Sequence, residues 1–252
     1  MMGSVDTRSG AERPIYARHA AASERGRWSV YDDVAWQDID EAAARKHPEL
    51  LEHLRAAALI EAYHPVNLGR LMLDTWEDVD AGVVFSLEAY EGFTHFHALR
   101  MYLDAVGHEP AITEAEIVAG RRRALEAPGQ PRPLLERLVE FMLSEHLAAY
   151  FFRRIGEQSE EPVLTKLMAL IAADEVRHAQ GASDLLAKRI QADPGCVPLV
   201  LDAAVRFRHY GNDMVGEVPV AMTGDDVAIQ TFAKRIERLC GVRIVDHLKA
   251  GL

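Results

Sequence analysis

Cysteine is nearly absent. Cys196 and Cys240 are the two in 252 residues, too few for a disulfide scaffold or a thiolate metal cage. A reducing cytoplasm is the expected setting. Lysine is almost as scarce, limited to Lys46, Lys166, Lys188, Lys234 and Lys249, so arginine supplies most of the 28 cations. Against 39 acidic residues they leave a formal charge of -11, which does not suit a general nucleic-acid binder. No apolar run approaches the ~18 residues of a membrane helix. No charged start followed by an apolar stretch marks a signal peptide. Alternation of β-branched and polar residues is also scarce, so strands are not expected.

What remains is rich in Ala, Leu, Glu and Arg, with 49% hydrophobic and 27% charged residues, the composition of a helical globular chain. Residues 1–25 are polar and without period, and read as a flexible tail. Residues 26–252 read as one helical domain, with a core over about 45–192 and further helices over about 197–249. A first helix is expected from Pro48 to Leu73, kinked at Pro65, and a second from Val83 to Ala105. A long connection with its own short helix follows and ends at Pro131 and Pro133. A third helix covers Pro133–Gln158. Pro162, just past the turn EQSEEP, suits the first turn of a fourth helix running to Gln191. Long helix pairs joined by one long crossover fit an all-α, ferritin-like four-helix bundle, with the C-terminal helices added outside it.

The strongest local motif is AADEVRHAQ at 172–180. Glu175 and His178 are one helical turn apart and share a face. In a bundle core such a pair can grip an oxygen-preferring ion such as iron or manganese. Glu145 in LVEFMLSEHLAAYFF and Glu61 in AALIEAYHP sit among apolar residues, where a lone carboxylate is costly to bury. Glu61 and Glu91 are 30 residues apart, and so are Glu145 and Glu175. His95 follows Glu61 by 34 residues and His178 follows Glu145 by 33. Each hairpin thus carries a lone Glu and then a Glu and a His, the two-fold pattern a dimetal site needs. In EAYEGFTHFH the second pair is Glu91 and His95, four apart, because Gly92 occupies the position three before His95. Glu88 lies on the same stripe as an extra ligand or supporting group. His64, three after Glu61, reads as packing near Pro65 more than as a ligand. His97 and His146 face elsewhere.

The segment AADEVRHAQGASDLL resembles the fourth-helix motif of soluble acyl-carrier-protein desaturases. Glu61 with Pro65, Glu145, and His95 followed by LRMYLDAVG extend the likeness over roughly residues 45–215. The resemblance implies Glu61, His95, Glu145, Glu175 and His178 as iron ligands, with Asp174 supporting a metal-bound histidine. Gly92 stands where the family has a bridging glutamate, and Glu91 matches a neighbour that is not normally a ligand; here Glu91 is taken as the substitute. The resemblance further implies two Fe ions, with Mn as the alternative. It also implies dioxygen, an acyl carrier protein or acyl thioester substrate, a ferredoxin-type electron donor and a homodimer. An apolar slot would be drawn from Phe93, Phe96, Met101, Phe141, Met142, Tyr150, Phe151 and Phe152. Arg121–Arg123 or Arg153–Arg154 would receive an acidic partner.

Two other functions compete. One is a diiron hydroxylase or N-oxygenase of a small molecule, although Ile171 stands where N-oxygenases carry a further histidine. The other is a metal-poor, non-catalytic acyl-binding relative, favoured by Gly92. On the dimetal reading, Gly92→Glu restores the family pattern and should tighten the second metal.

Overall fold

The structure is a computed structural model and describes residues 13–126 and 132–250. Among them every regular element is a helix and none is a strand. In chain order these are α1 (Ile15–Gly26), α2 (Glu41–Ala44), α3 (Pro48–Glu61), α4 (His64–Asp74), α5 (Val79–Ala105), α6 (Glu114–Glu126) and α7 (Leu134–Gln158). They continue with α8 (Pro162–Ala192), α9 (Val197–Val205), α10 (Asn212–Val215), α11 (Asp226–Cys240) and α12 (Ile244–Ala250).

The long elements pair as antiparallel neighbours. α3 and α4 both pack on α5, α7 packs on α8, and α5 meets α8 across the middle. Leu54, Leu99, Leu138, Leu167 and Leu186 have no exposed surface, and burying each such side chain favours the fold by ~1.5–3 kcal/mol. Along α5 the buried positions 81, 84, 85, 88, 91, 92, 95, 98, 99 and 102 recur every three or four residues. They form one stripe, and Glu88, Glu91 and His95 are its polar members.

Capping fixes the register of the helices. Asp78 accepts from the N–H groups of Asp80 and Ala81 at the start of α5. Glu161 accepts from those of Val163 and Leu164 at the start of α8, satisfying donors that have no partner inside the helix. Tyr102 donates to the same Glu161 carboxylate at 3.0 Å, which pins the first turn of α8 to α5. Pro162 opens α8, as its missing N–H allows.

Two expectations need correction. The first is the expected tail. Residues 1–12 lie outside the described residues, as does Pro131, but residues 15–26 form α1, which packs on both α5 and α8. Ile15, His19, Ser23 and Gly26 recur at three- and four-residue spacing, so one narrow face of a polar segment suffices to dock it. The second is the first long helix, which does more than kink at Pro65. It ends at Glu61, and a new helix starts at His64 with Pro65 in its first turn. Arg121 on α6 donates from Nε and Nη2 to the Ala62 carbonyl left open by the break.

Beyond Ala192 the chain wraps the outside. α9 lies on α7, α11 lies on α9 and α8, and α10 reaches α6 and α3. No helix among the described residues is long and apolar enough to cross a membrane.

Candidate metal centre

Glu61 from the end of α3, His95 from α5 and Glu175 from α8 bring three donor atoms within 4.8 Å of one another. His64 from α4, Glu145 from α7 and His178 from α8 form a second such group. All six residues are buried, none more than 4% exposed. Glu175 links the groups, with one oxygen 2.9 Å from His95 Nδ1 and the other 3.1 Å from His178 Nδ1.

His178 Nδ1 and Glu175 Oε2 pair at 3.1 Å, but most of the other donor atoms approach one another without pairing. His95 Nδ1 and Glu175 Oε1 are in contact, yet neither has a hydrogen-bond partner. Glu61 Oε2, both oxygens of Glu145 and His64 Nε2 are likewise buried without partners. Buried polar atoms are nearly always satisfied, and leaving one unpaired costs ~1–3 kcal/mol. Atoms that lie close but are misaligned for hydrogen bonding are aimed at a shared point, the arrangement a cation requires. The donor set fits two divalent ions of the oxygen- and imidazole-preferring class.

Both central histidines are held from behind. His95 Nε2 is 3.0 Å from Asp174, and His178 Nε2 is 2.8 Å from Glu91. Each Nδ1 therefore faces the other donors, the orientation that ligating histidines acquire from such partners. Arg177 reaches both supporting carboxylates, at 2.5 Å to Asp174 and 3.3 Å to Glu91. Gly26 lets α1 pass over that guanidinium, since a Cβ there would lie 2.5 Å from Nη1. Trp28 donates to Asp174 at 2.7 Å, and Ser23 donates to Glu91 at 2.5 Å.

The electrostatics match this geometry. Burial raises the pKa of Glu61 and Glu145, and the charge of Glu175 raises both further. Burial opposes ionisation of Glu175 too, but His178 and His95 outweigh it and hold that carboxyl well below its usual range. Burial works against a charged His95, yet Asp174 and Glu175 carry its pKa well above the usual value. For His178, Glu175 and Glu145 overcome the same burial. Metal ions would displace the protons these groups share, because a ligand must be deprotonated to bind. Burial lowers His64 to about 3, so it is a neutral imidazole.

The expected residues divide into three sets. Glu61, His95, Glu145, Glu175 and His178 converge. Glu91, expected as a ligand, is in neither donor group: its carboxylate is engaged by His178 Nε2, Ser23 and Arg177, which hold it down at about 2 against the opposing effect of burial. Glu88 is also in neither group. It is fully buried, its pKa is raised well above normal by burial, and His19 is 3.8 Å away. His64, set aside as packing, belongs to the second group. Asp174 holds a histidine as expected.

Ser23, Trp28, Arg177 and Tyr210, whose hydroxyl lies 2.9 Å from His64 Nδ1, were not anticipated. Ser23 was hidden in the polar start, where the spacing of α1 was the available signal, and Trp28 lies just past the end of that helix. Arg177 lies between Glu175 and His178 in the very motif that was singled out.

Other expectations fare differently. Phe96, Phe141, Met142, Phe151 and Phe152 are buried, whereas Phe93 is 52% exposed. A surface cleft of about 640 Å³ lies at Tyr16, Trp76, Asp78 and Lys188, and one of about 310 Å³ at Arg55, Glu116 and Met214. No residue of the donor groups lines either, and none of the residues expected to wall an apolar slot does. Arg121 and Arg123 are spent on the Ala62 and Met214 carbonyls, while Arg153 and Arg154 are exposed.

No family model, curated protein or solved structure matches this chain.

Proposed function

We propose that the chain is a diiron, dioxygen-dependent oxidase similar to acyl-carrier-protein desaturases, built on a ferritin-like bundle and removing hydrogen from an acyl chain. The observation that carries this reading is the buried set of carboxylates and imidazoles around Glu175, several of whose donor atoms have no hydrogen-bond partner. Glu61 and His95 would hold one ion, Glu145 and His178 the other, and Glu175 both. Iron bound there supplies the reductive activation of dioxygen, chemistry that side chains alone lack. The protein contributes position and dryness: Asp174 and Glu91 orient the two imidazoles, and the surrounding Leu and Phe side chains exclude water. In desaturation, dioxygen takes two electrons and two protons from the acyl chain, two electrons from an external donor and two protons from solvent, and leaves as water. A ferredoxin-type protein is the donor class that the resemblance implies.

The test loads the full chain anaerobically with ferrous iron, counts the ions, then adds oxygen, reductant and acyl-carrier-protein substrates. About two irons per chain and an acyl product short of one pair of hydrogens support the reading. A product that instead gains oxygen points to hydroxylation. Glu175→Ala should lose both ions, since its two oxygens serve both groups. Unchanged metal content in that variant would remove Glu175 from the centre.

A further inference from the structure

Gly92 and His64 compete for one volume. A Cβ on Gly92 would lie 2.7 Å from Cδ2, 2.8 Å from Cγ and 3.1 Å from Cβ of His64. Carbon atoms pack at ~3.5–4.0 Å, so a side chain at position 92 and the imidazole at 64 exclude each other. Gly92 is the gap on α5 that the imidazole from α4 occupies.

The way His64 is held is that of a positioned ligand. It is 1% exposed. Its Nδ1 is 2.9 Å from the Tyr210 hydroxyl, and its ring centre is 5.8 Å from that of Phe141 and 6.0 Å from that of His178. Its Nε2 is buried and has no partner. His53, His108 and His209 also carry a buried nitrogen without a partner, but they belong to neither donor group, whereas His64 stands among other unpaired donors. One of its ring nitrogens lies within 4.8 Å of donor atoms of Glu145 and His178.

Building on the dimetal reading above, we infer that His64 is a ligand of the ion held by Glu145 and His178, replacing the carboxylate that Gly92 removes. The donor comes from the first turn of α4 instead of from α5. The centre then holds three carboxylates and three imidazoles, one negative charge fewer than the four-carboxylate arrangement. The two ions share Glu175 alone, and the second gains a nitrogen donor. Tyr210, from the segment between α9 and α10, positions this ligand and ties the C-terminal wrap to the centre.

The inference reverses the effect first expected of Gly92→Glu. With His64 present, that substitution collides with the imidazole and should weaken the second ion. The two changes together, His64→Ala with Gly92→Glu, empty the space and refill it with a carboxylate.

The experiment compares the full-length chain with His64→Ala, Gly92→Glu and the double variant. Ferrous iron and Co2+ are titrated anaerobically, and metal per chain is measured after desalting. Paramagnetic NMR of the Co2+ forms counts the exchangeable N–H signals of bound imidazoles. The expected results are about two ions and three imidazole signals in the parent chain. Each single variant should keep the first ion and bind the second more weakly by more than the roughly 10–100-fold cost of losing a mere supporting residue. The double variant should regain the second ion with two imidazole signals. If His64→Ala binds both ions as tightly as the parent and loses no signal, His64 is a filler and the inference falls while the dimetal reading stands. If the double variant binds the second ion no better than the single ones, the exchange of positions is overturned. A parent chain that binds no ion removes both readings.

Discussion

Trp28 touches the centre twice without belonging to it. Its indole N–H donates to Asp174 at 2.7 Å, and its ring lies within 7° of parallel to that of His95. Asp174 also receives Arg177 and His95 Nε2, so Trp28 is one of three groups fixing that carboxylate. Trp28→Phe keeps the aromatic face and deletes the donor. Metal affinity at the Glu61, His95 and Glu175 group should fall about tenfold, the low end for an outer partner because two others remain. Isothermal titration with Mn2+ would measure it, and an unchanged affinity would show that the indole bond does not orient His95. Residue chemistry in the sequence was informative where a costly side chain stood among apolar neighbours, as at Glu61 and Glu145. It did not anticipate the placement of Glu91 and His64, of which the first lies in neither donor group and the second lies in one. At Glu91 the carboxylate turns toward the outer nitrogen of His178, a choice made by Ser23 and Arg177 from other parts of the chain. At His64 the deciding feature is a missing Cβ on another helix.

The break between α3 and α4 is the element on which the candidate site depends. Pro65 made an interruption legible, since it lacks an N–H and clashes with the preceding turn. The sequence did not reveal that the interruption falls between the two candidate donors Glu61 and His64. Arg121 closes it from α6 with two bonds to the Ala62 carbonyl. Hydrogen bonds to a charged group contribute ~1.5–3 kcal/mol, so Arg121→Gln should destabilise the fold by about 2 kcal/mol in a urea titration. Because the bond steadies the ends of both helices, the same variant should also bind the second ion more weakly than the parent. A stability loss with metal binding intact would make Arg121 a brace for the crossover alone. Other elements followed local rules closely. Pro162, Glu161 and Asp78 start their helices by chemistry readable within three residues. α1 did not, because a helix docked by a single narrow stripe carries too weak a pattern to stand out from polar surroundings.

On the scale of the whole chain, five helices deliver donors to one buried point, and none completes a group alone. Several of those donor atoms are unpaired within the protein, so divalent ions should act as a keystone between α3, α4, α5, α7 and α8. Binding to the folded state alone adds about 2.7 kcal/mol at one hundred times Kd. For a chain of this size that raises Tm by roughly 5–10 °C. Calorimetry with and without Mn2+, an ion that does not confuse the reading with oxygen chemistry, checks this. No shift would mean that the donors do not converge on a bound ion.

The sequence by itself determined the helical class, most helix limits, and five residues of the converging set, because helical period and the cost of burying charge are local and visible in composition and spacing. The tertiary structure alone decided which carboxylates face inward, that a polar N-terminal segment becomes a supporting helix, and that His64 fills the place left by Gly92. Those outcomes depend on contacts between residues far apart in the chain, where a missing methylene on one helix sets what another helix can place beside it.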